Sequence, residues 1–241
     1  MLLLIRHATN DFVKTGRLPG QSANIHLNDE GRAQAESLGR FLKDRKLDAV
    51  YASHLERAIE TAWRVAAPHG LSIDIRPDLA DTDTGDLTGR PTKDLGDAPD
   101  TREIWQVVQS RPSEACFPNG ECLAGMQQRV VAALEQIAAR HPDPEPPPQT
   151  EAKQDGGASD SVRVGAGAEG QPNMSPPVVA VVMHADPIRA ALAHFLGMPF
   201  DNFQRLGVSP ASISAVMIGA DRKSGRQFIH VLNVNQVAQA A

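Results

Sequence analysis

The chain opens with four consecutive apolar residues, Leu2 to Ile5, and then turns abruptly polar. A short unbroken apolar run is the mark of a strand covered on both faces, as in a parallel sheet flanked by helices. Similar runs recur at 47–52 (LDAVYA), 71–75 (LSIDI) and 178–183 (VVAVVM). Between them the apolar positions change to helical spacing: Ala35, Leu38, Phe41 and Leu42; then Leu55, Ile59, Ala62 and Ala66; then Met126, Val130, Leu134 and Ile137. Further helices are predicted over roughly 101–110, 123–140 and 187–197. Two closing strands, 211–219 and 226–234, are joined by a turn at 221–225. Strands alternating with helices predict an α/β protein, a three-layer α/β/α sandwich whose central sheet is mostly parallel and, with its closing hairpin, mixed.

Local signals punctuate this pattern. Asn28 suits an N-cap, and Asp29 and Glu30 suit the positive end of the helix that follows. Ser53 and Glu56 have the spacing of a capping box. Asp186 suits an N-cap, with Pro187 at the first helical position. From His141 to Pro177 the sequence is rich in Pro, Gly, Ala and polar residues, too poor in apolar surface to offset its ordering entropy. It reads as a disordered insertion within a single domain spanning 1–241, because strand and helix patterns resume after it. GAGAEG, at 165–170, matches a dinucleotide-binding glycine pattern but is followed by QPNMSPP, which cannot open the helix that such a site needs.

Charge and composition narrow the class. The net charge of −5 gives no bulk attraction to nucleic acid or anionic membrane. No apolar run approaches the roughly 20 residues that span a bilayer, and Met1 to Ile5 is too short for a signal-peptide core. The expectation is therefore the cytoplasm, with Cys116 and Cys122 as free thiols. No oligomeric state can be read.

The candidate chemistry lies at the strand ends, where open α/β sheets bind ligands. The first strand ends in Arg6 and His7. The second ends in Ser53, with Arg57 in the first turn of the next helix. The strand at 178–183 ends in His184, followed by Asp186 and Pro187. Two arginines, two histidines and two helix N-termini on one rim suit an anion of fork geometry, with phosphate the natural candidate.

These segments together resemble the histidine phosphatase superfamily, also called the phosphoglycerate mutase-like family. Arg6-His7-Ala8 is similar to its Arg-His-Gly motif. LNDEGRAQAESLGRFL (27–42) resembles the helix that follows, and YASHLERAIETA (51–62) the segment carrying a second arginine, here Arg57. LADTDTGDLTGR (79–90) resembles the acid-bearing loop, whose usual Glu falls on Asp81. Gly120-Glu121-Cys122 resembles a Gly-Glu-Ser segment, and VVMHADPIRAAL (181–192) the second-histidine motif. The likeness covers nearly the whole chain outside 141–177.

The resemblance implies phosphoryl transfer on a small-molecule phosphate ester without a metal or other cofactor. His7 would be the nucleophile, forming phosphohistidine. Arg6, Arg57 and His184 would hold the non-bridging oxygens, and Asp81 would protonate the leaving oxygen, with Asp83 as a competing assignment. The family's early phosphate-binding Asn falls on Val13, so that contact is either lost or replaced by Asn10 or Thr9. Ala8 and Ala185 stand where glycines are usual, which requires negative φ at both; Ala185 then belongs to the substrate-binding set. A phosphomonoester hydrolase is the leading expectation. A phosphoglycerate-type mutase is the alternative, weakened by the loop NDFVKTGRLPGQSAN, and an inactive phosphoryl-ligand binding module is another. A metal site from His7, His184 and Asp81 is disfavoured by the adjacent arginines. Arg17 is open between phosphate binding and a solvated loop charge, and Glu121 between orienting the site and facing water. Arg189 reads as a structural ion-pair partner. Trp63 and Trp105 read as packing residues. His26, His54, His69, His141, His194 and His230 read as structural, although His54 is placed to line the mouth. Substrate identity is expected to reside in residues 85–125 and the loop from Thr9 to Gln21.

Overall fold

The computed structural model describes residues 1–144, 175–220 and 226–238. Six strands form one sheet: β1 (Leu2–Arg6), β2 (Ala49–Ala52), β3 (Ile73–Ile75), β4 (Val179–Met183), β5 (Ser212–Ala220) and β6 (Gln227–Val237). Their order is β3-β2-β4-β1-β5-β6. β1 to β4 run parallel, and β5 and β6 are antiparallel. The α/β sandwich with a mixed, mostly parallel sheet is therefore the observed architecture.

The apolar runs split between two cores, as the strand period of two requires. On one face Leu2, Leu4, Val179, Val181 and Met183 pack against helices α5 (Leu123–Arg140) and α6 (Ala185–Phe195). On the other, Leu3, Ile5, Ala180 and Val182 pack against α2 (Asp29–Leu42) and α3 (Glu56–Ala66). α4 (Arg102–Ser110) adds Val108 to the first core. A four-residue helix, α1 (Asp11–Lys14), follows the first strand and has no periodic signal in the sequence. No helix among the described residues is long and apolar enough to cross a membrane.

Asn28 caps α2 as expected, its Oδ1 accepting from Gly31 N at 2.9 Å. That helix presses on the loop after β1: a Cβ at Gly31 would stand 1.8 Å from the Thr9 carbonyl oxygen. Three sequence expectations are corrected. Ser53 and Glu56 form no capping box, because α3 starts at Glu56 and Ser53 Oγ is shared with His184 and Leu55 N. α6 begins two residues earlier than expected, with His184 at the N-cap position; Asp186 lies in the first turn and pairs with Arg189 at 2.9 Å. Cys116 and Cys122 are joined in a disulfide. The chain doubles back between them, Phe117 N donating to Glu121 O and Leu123 N to Ala115 O, which sets the two cysteines opposite each other as an antiparallel bridge. A separation of six residues does not reveal that hairpin by itself.

Of the segment expected to be disordered, 141–177, residues 145–174 lie outside the described residues, as does the expected turn at 221–225. Its near ends are tied to the sheet: the Tyr51 hydroxyl and His141 Nε2 are 3.0 Å apart, and Pro177 O accepts from the Met1 amino group.

Candidate active site

The C-terminal ends of β1 and β4 are adjacent because the two strands pair directly, Arg6 opposite Met183. His7 N then donates to Met183 O, which sets His7 beside His184, their ring centroids 5.2 Å apart. Both histidines are buried. His7 Nδ1 lies 2.8 Å from the Ala8 carbonyl oxygen. A carbonyl only accepts, so Nδ1 carries the proton and Nε2 keeps its lone pair. Burial holds the His7 pKa well below the usual imidazole value, and the Arg57 and Arg6 guanidinium groups push the same way. Burial likewise lowers His184, followed by Arg57, His7 and Arg6. Both rings are therefore neutral near pH 7.

Arg57 is wholly buried, held by carbonyls of the loop above it: its Nη2 donates to Gly20 O at 2.8 Å and its Nη1 to Ser22 O at 3.4 Å. Nη2 also reaches Asp81 Oδ2 at 3.1 Å, and His184 Nδ1 lies 3.5 Å from the same oxygen. Despite that cation, the Asp81 carboxyl is pushed up to about 6; burial is the largest cause, Arg57 opposes it and Asp186 adds to it. Arg6 donates through Nη1 to Val208 O at 2.7 Å. Around this cluster several buried polar atoms have no partner among the described residues: Arg6 Nε, Asn10 Nδ2, Arg57 Nε, Thr82 Oγ1 and His184 Nδ1. Such atoms are costly to leave unpaired.

The carboxyl-bearing loop is clamped from behind. Arg129, on α5, donates to the carbonyls of Asp78 and Ala80 at 2.9 and 3.1 Å. It also binds Glu121 Oε1 at 2.7 Å, and that oxygen accepts from Asp83 N at 2.9 Å. Gln21 Nε2 donates to Asp81 O at 3.0 Å. Asp83 turns its own carboxylate to Gly85 N, so the geometry places Asp81, rather than Asp83, beside the histidines.

Above the floor opens a cavity of about 350 Å³. Arg6, His7, Asp81 and Ala185 line it; Arg57, His184 and Asn10 lie behind that surface, fully buried. Neither Ala8 nor Ala185 has a positive φ, so their methyl groups impose no backbone strain. Ala185 is the first residue of α6, and its N–H has no intrahelical acceptor. The two segments expected to govern the substrate supply Arg17, Leu18, Trp105 and Phe117 to the walls, and Thr82, Thr84, Arg189 and Gln204 from outside those segments line it as well.

The profile of the family described as "Histidine phosphatase superfamily (branch 1)" matches residues 2–145 and 162–230. The chain belongs to the histidine phosphatase superfamily. Phosphoserine phosphatase 1 of Hydrogenobacter thermophilus is 26% identical over 89% of this chain and 85% of its own length. Among solved structures, mycobacterial hydrolase 1 superposes with a TM-score of 0.75 at 22% identity, covering 98% of this chain and 99% of that one. A mycobacterial glucosyl-3-phosphoglycerate phosphatase superposes with a TM-score of 0.71 at 25% identity, covering 97% and 98%. The enzyme is a phosphatase of the histidine phosphatase type.

Within this histidine phosphatase several residues take parts that sequence reasoning left open or missed. Glu121 orients the acid loop. Arg189, expected as a structural ion-pair partner, pairs with Asp186, yet it also lines the cavity. Asn10 spends Oδ1 capping α1, accepting from Val13 N, and keeps Nδ2 free. Trp105 packs against the first core, as expected, and also lines the cavity, whereas Trp63 is about half exposed and is not the packing residue expected. Ser53, Thr61 and Arg129 were not singled out as supports. Thr61 Oγ1 accepts from Ala8 N and fixes the loop beyond His7. Its helical position gave no signal, because its partner is a backbone group far away in sequence.

Proposed function

We propose that the enzyme hydrolyses small phosphomonoesters without a metal, through a phosphohistidine on His7. The observation that carries this reading is the set of unpartnered buried polar atoms around a neutral imidazole whose Nε2 lone pair is available. A tetrahedral oxyanion supplies the acceptors that the guanidinium, amide and hydroxyl groups lack. Nε2 attacks phosphorus in line with the ester oxygen; an N–P bond forms and the P–O bond to the alcohol breaks. Arg6, Arg57, His184, Asn10 and the Ala185 N–H hold the non-bridging oxygens and balance the charge that spreads over them. Asp81, with its pKa near 6, gives its proton to the leaving oxygen. In the second half Asp81 takes a proton from water, water attacks phosphorus, and the N–P bond breaks to release phosphate. Two guanidinium groups at the floor repel a divalent cation and supply the charge that a metal supplies elsewhere.

The substrate of this reading is a small phosphorylated metabolite, in keeping with a cavity at the low end of the roughly 300–1,000 Å³ common for ligand sites. Cytoplasmic placement is the sequence-based part of the proposal. The Cys116–Cys122 disulfide weighs against it, because structural disulfides persist mainly in oxidising compartments. The decisive experiment is phosphate release from a panel of phosphomonoesters with excess EDTA. Turnover is expected to persist in EDTA, to vanish in His7→Ala, and to pass through an acid-labile phosphoenzyme. Hydrolysis that survives His7→Ala, or that EDTA abolishes and added metal restores, overturns the proposal. Interconversion of 3- and 2-phosphoglycerate in excess of phosphate release assigns the enzyme to the mutases instead.

A further inference from the structure

The cavity above the cationic floor is divided by chemistry. One part of its wall is Leu18, Trp105, Val108, Phe117 and Leu123. The polar side chains beside them bond to the protein itself. Thr84 Oγ1 and Thr88 Oγ1 are 2.7 Å apart. Thr92 donates to Gly16 O, and Arg17 to Gly89 O. Gln204 donates to Val108 O. Arg189 divides its guanidinium between Leu206 O and Asp186. Buried polar atoms without a partner lie at the floor, on Arg6, Arg57, Thr82 and His184. A sugar or amino-acid ester lying against this apolar part of the wall would give up water around its hydroxyl, amino or carboxylate groups without a polar partner there, and that desolvation costs affinity. An alkyl or aryl body gives up nothing and covers apolar surface.

We infer that the preferred substrate is a phosphomonoester of a largely apolar alcohol, its phosphate on the floor and its alkyl or aryl body against Leu18, Trp105 and Phe117. The inference rests on the phosphatase reading above and adds to it the substrate class. A polar end group on such a substrate would project past Arg17, which keeps an exposed guanidinium at the cavity.

A series of n-alkyl phosphates from ethyl to hexyl tests this, with glucose 6-phosphate and phosphoserine as polar esters. The leaving alcohols of the alkyl series differ little in basicity, so a trend in kcat/KM reports contact with the wall. It is expected to rise roughly three- to fourfold per methylene, and the longer members are expected to outrun both polar esters. Trp105→Ala is expected to flatten the slope. A flat or falling series, or faster hydrolysis of a polar ester, overturns the substrate class and leaves phosphatase action standing. If no ester in the set is hydrolysed, the phosphatase reading falls and the substrate class with it.

Discussion

Arg57 Nη2 and Asp81 Oδ2 are 3.1 Å apart, so the proposed proton donor is paired with a cation that the proposed phosphate site also uses. An arriving phosphate dianion competes for that guanidinium. Asp81 then loses part of its stabilising charge and faces new negative charge, and both changes favour its protonated form. In the proposed mechanism, binding the substrate's anion thus prepares the acid that the leaving oxygen requires.

The pH dependence follows with a definite sign. The proposed mechanism needs Asp81 protonated and His7 neutral. Since the free-enzyme Asp81 pKa is about 6 and His7 lies well below 6.5, kcat/KM, corrected for ionisation of the substrate, is expected to fall above about pH 6, by a factor of ten per pH unit. The matching descent in kcat is expected at higher pH, because bound phosphate raises Asp81 further. Steady-state profiles of the two parameters check both statements. A kcat descent at lower pH than that of kcat/KM contradicts the coupling.

The same carboxyl weakens the fold. Its pKa is raised on folding, so its contribution to stability is fully present below the ordinary carboxylate value of 3.8 and is lost as pH rises through about 6. A rise from 3.8 to about 6 corresponds to roughly 3 kcal/mol at pH 7. Asp81→Asn, which keeps an acceptor for Thr82 N, is expected to stabilise the enzyme by up to that amount at pH 7 and by little at pH 4. It is expected to cost 10²- to 10⁴-fold in kcat. Urea unfolding at the two pH values is the measurement.

Arg129 touches no part of the cavity, yet it fastens the carbonyls on both sides of Leu79 and, through Glu121, the Asp83 amide. Arg129→Met keeps the length of the side chain and removes the donors. We expect a fall of about 10- to 100-fold in kcat, as for a displaced catalytic group, with KM nearly constant and the pH descent moved. A variant that loses stability while its remaining activity keeps the wild-type pH profile would limit Arg129 to a structural part.

The Cys116–Cys122 bridge closes a loop holding Phe117, on the cavity wall, and Glu121, which accepts from the Asp83 amide. Short as that loop is, chain-entropy arguments give about 2 kcal/mol for it. Reduction with dithiothreitol, or the pair Cys116→Ser and Cys122→Ser, is expected to lower Tm by several degrees and to raise KM through a loosened wall. Thermal scans with and without reductant, paired with kinetics, read both effects.

What was legible in the sequence follows from which signals are local. Leu2 to Ile5 and Val178 to Met183 read as buried strands because both sheet faces are covered, and Asn28 read as a cap because it bonds three residues ahead. Arg6, His7, Arg57 and His184 could be grouped because parallel strands deliver their ends to one rim. Asp81 was reached through family likeness, and only the fold separates it from Asp83, two residues on. Ser53 resembled a cap but is claimed by His184, 131 residues away. The cysteine pairing depends on a hairpin, and the work of Arg129 is done on backbone carbonyls, which carry no sequence identity. Trp63 stands about half exposed beside Arg64, stacked under its guanidinium, a surface arrangement that helical spacing alone does not disclose.

The strand order has a consequence for biosynthesis. β1 is made well before both of its neighbours in the sheet, β4 and β5. Throughout translation its apolar residues and both of its hydrogen-bonding edges wait for partners that begin at Val179 and Ser212. Loop closure over such distances is slow, and open edges invite pairing with other chains. A nascent or truncated chain ending before β4 therefore carries the first histidine with nothing beside it. It exposes a sticky strand for the cell's chaperones to shield until β4 and β5 arrive.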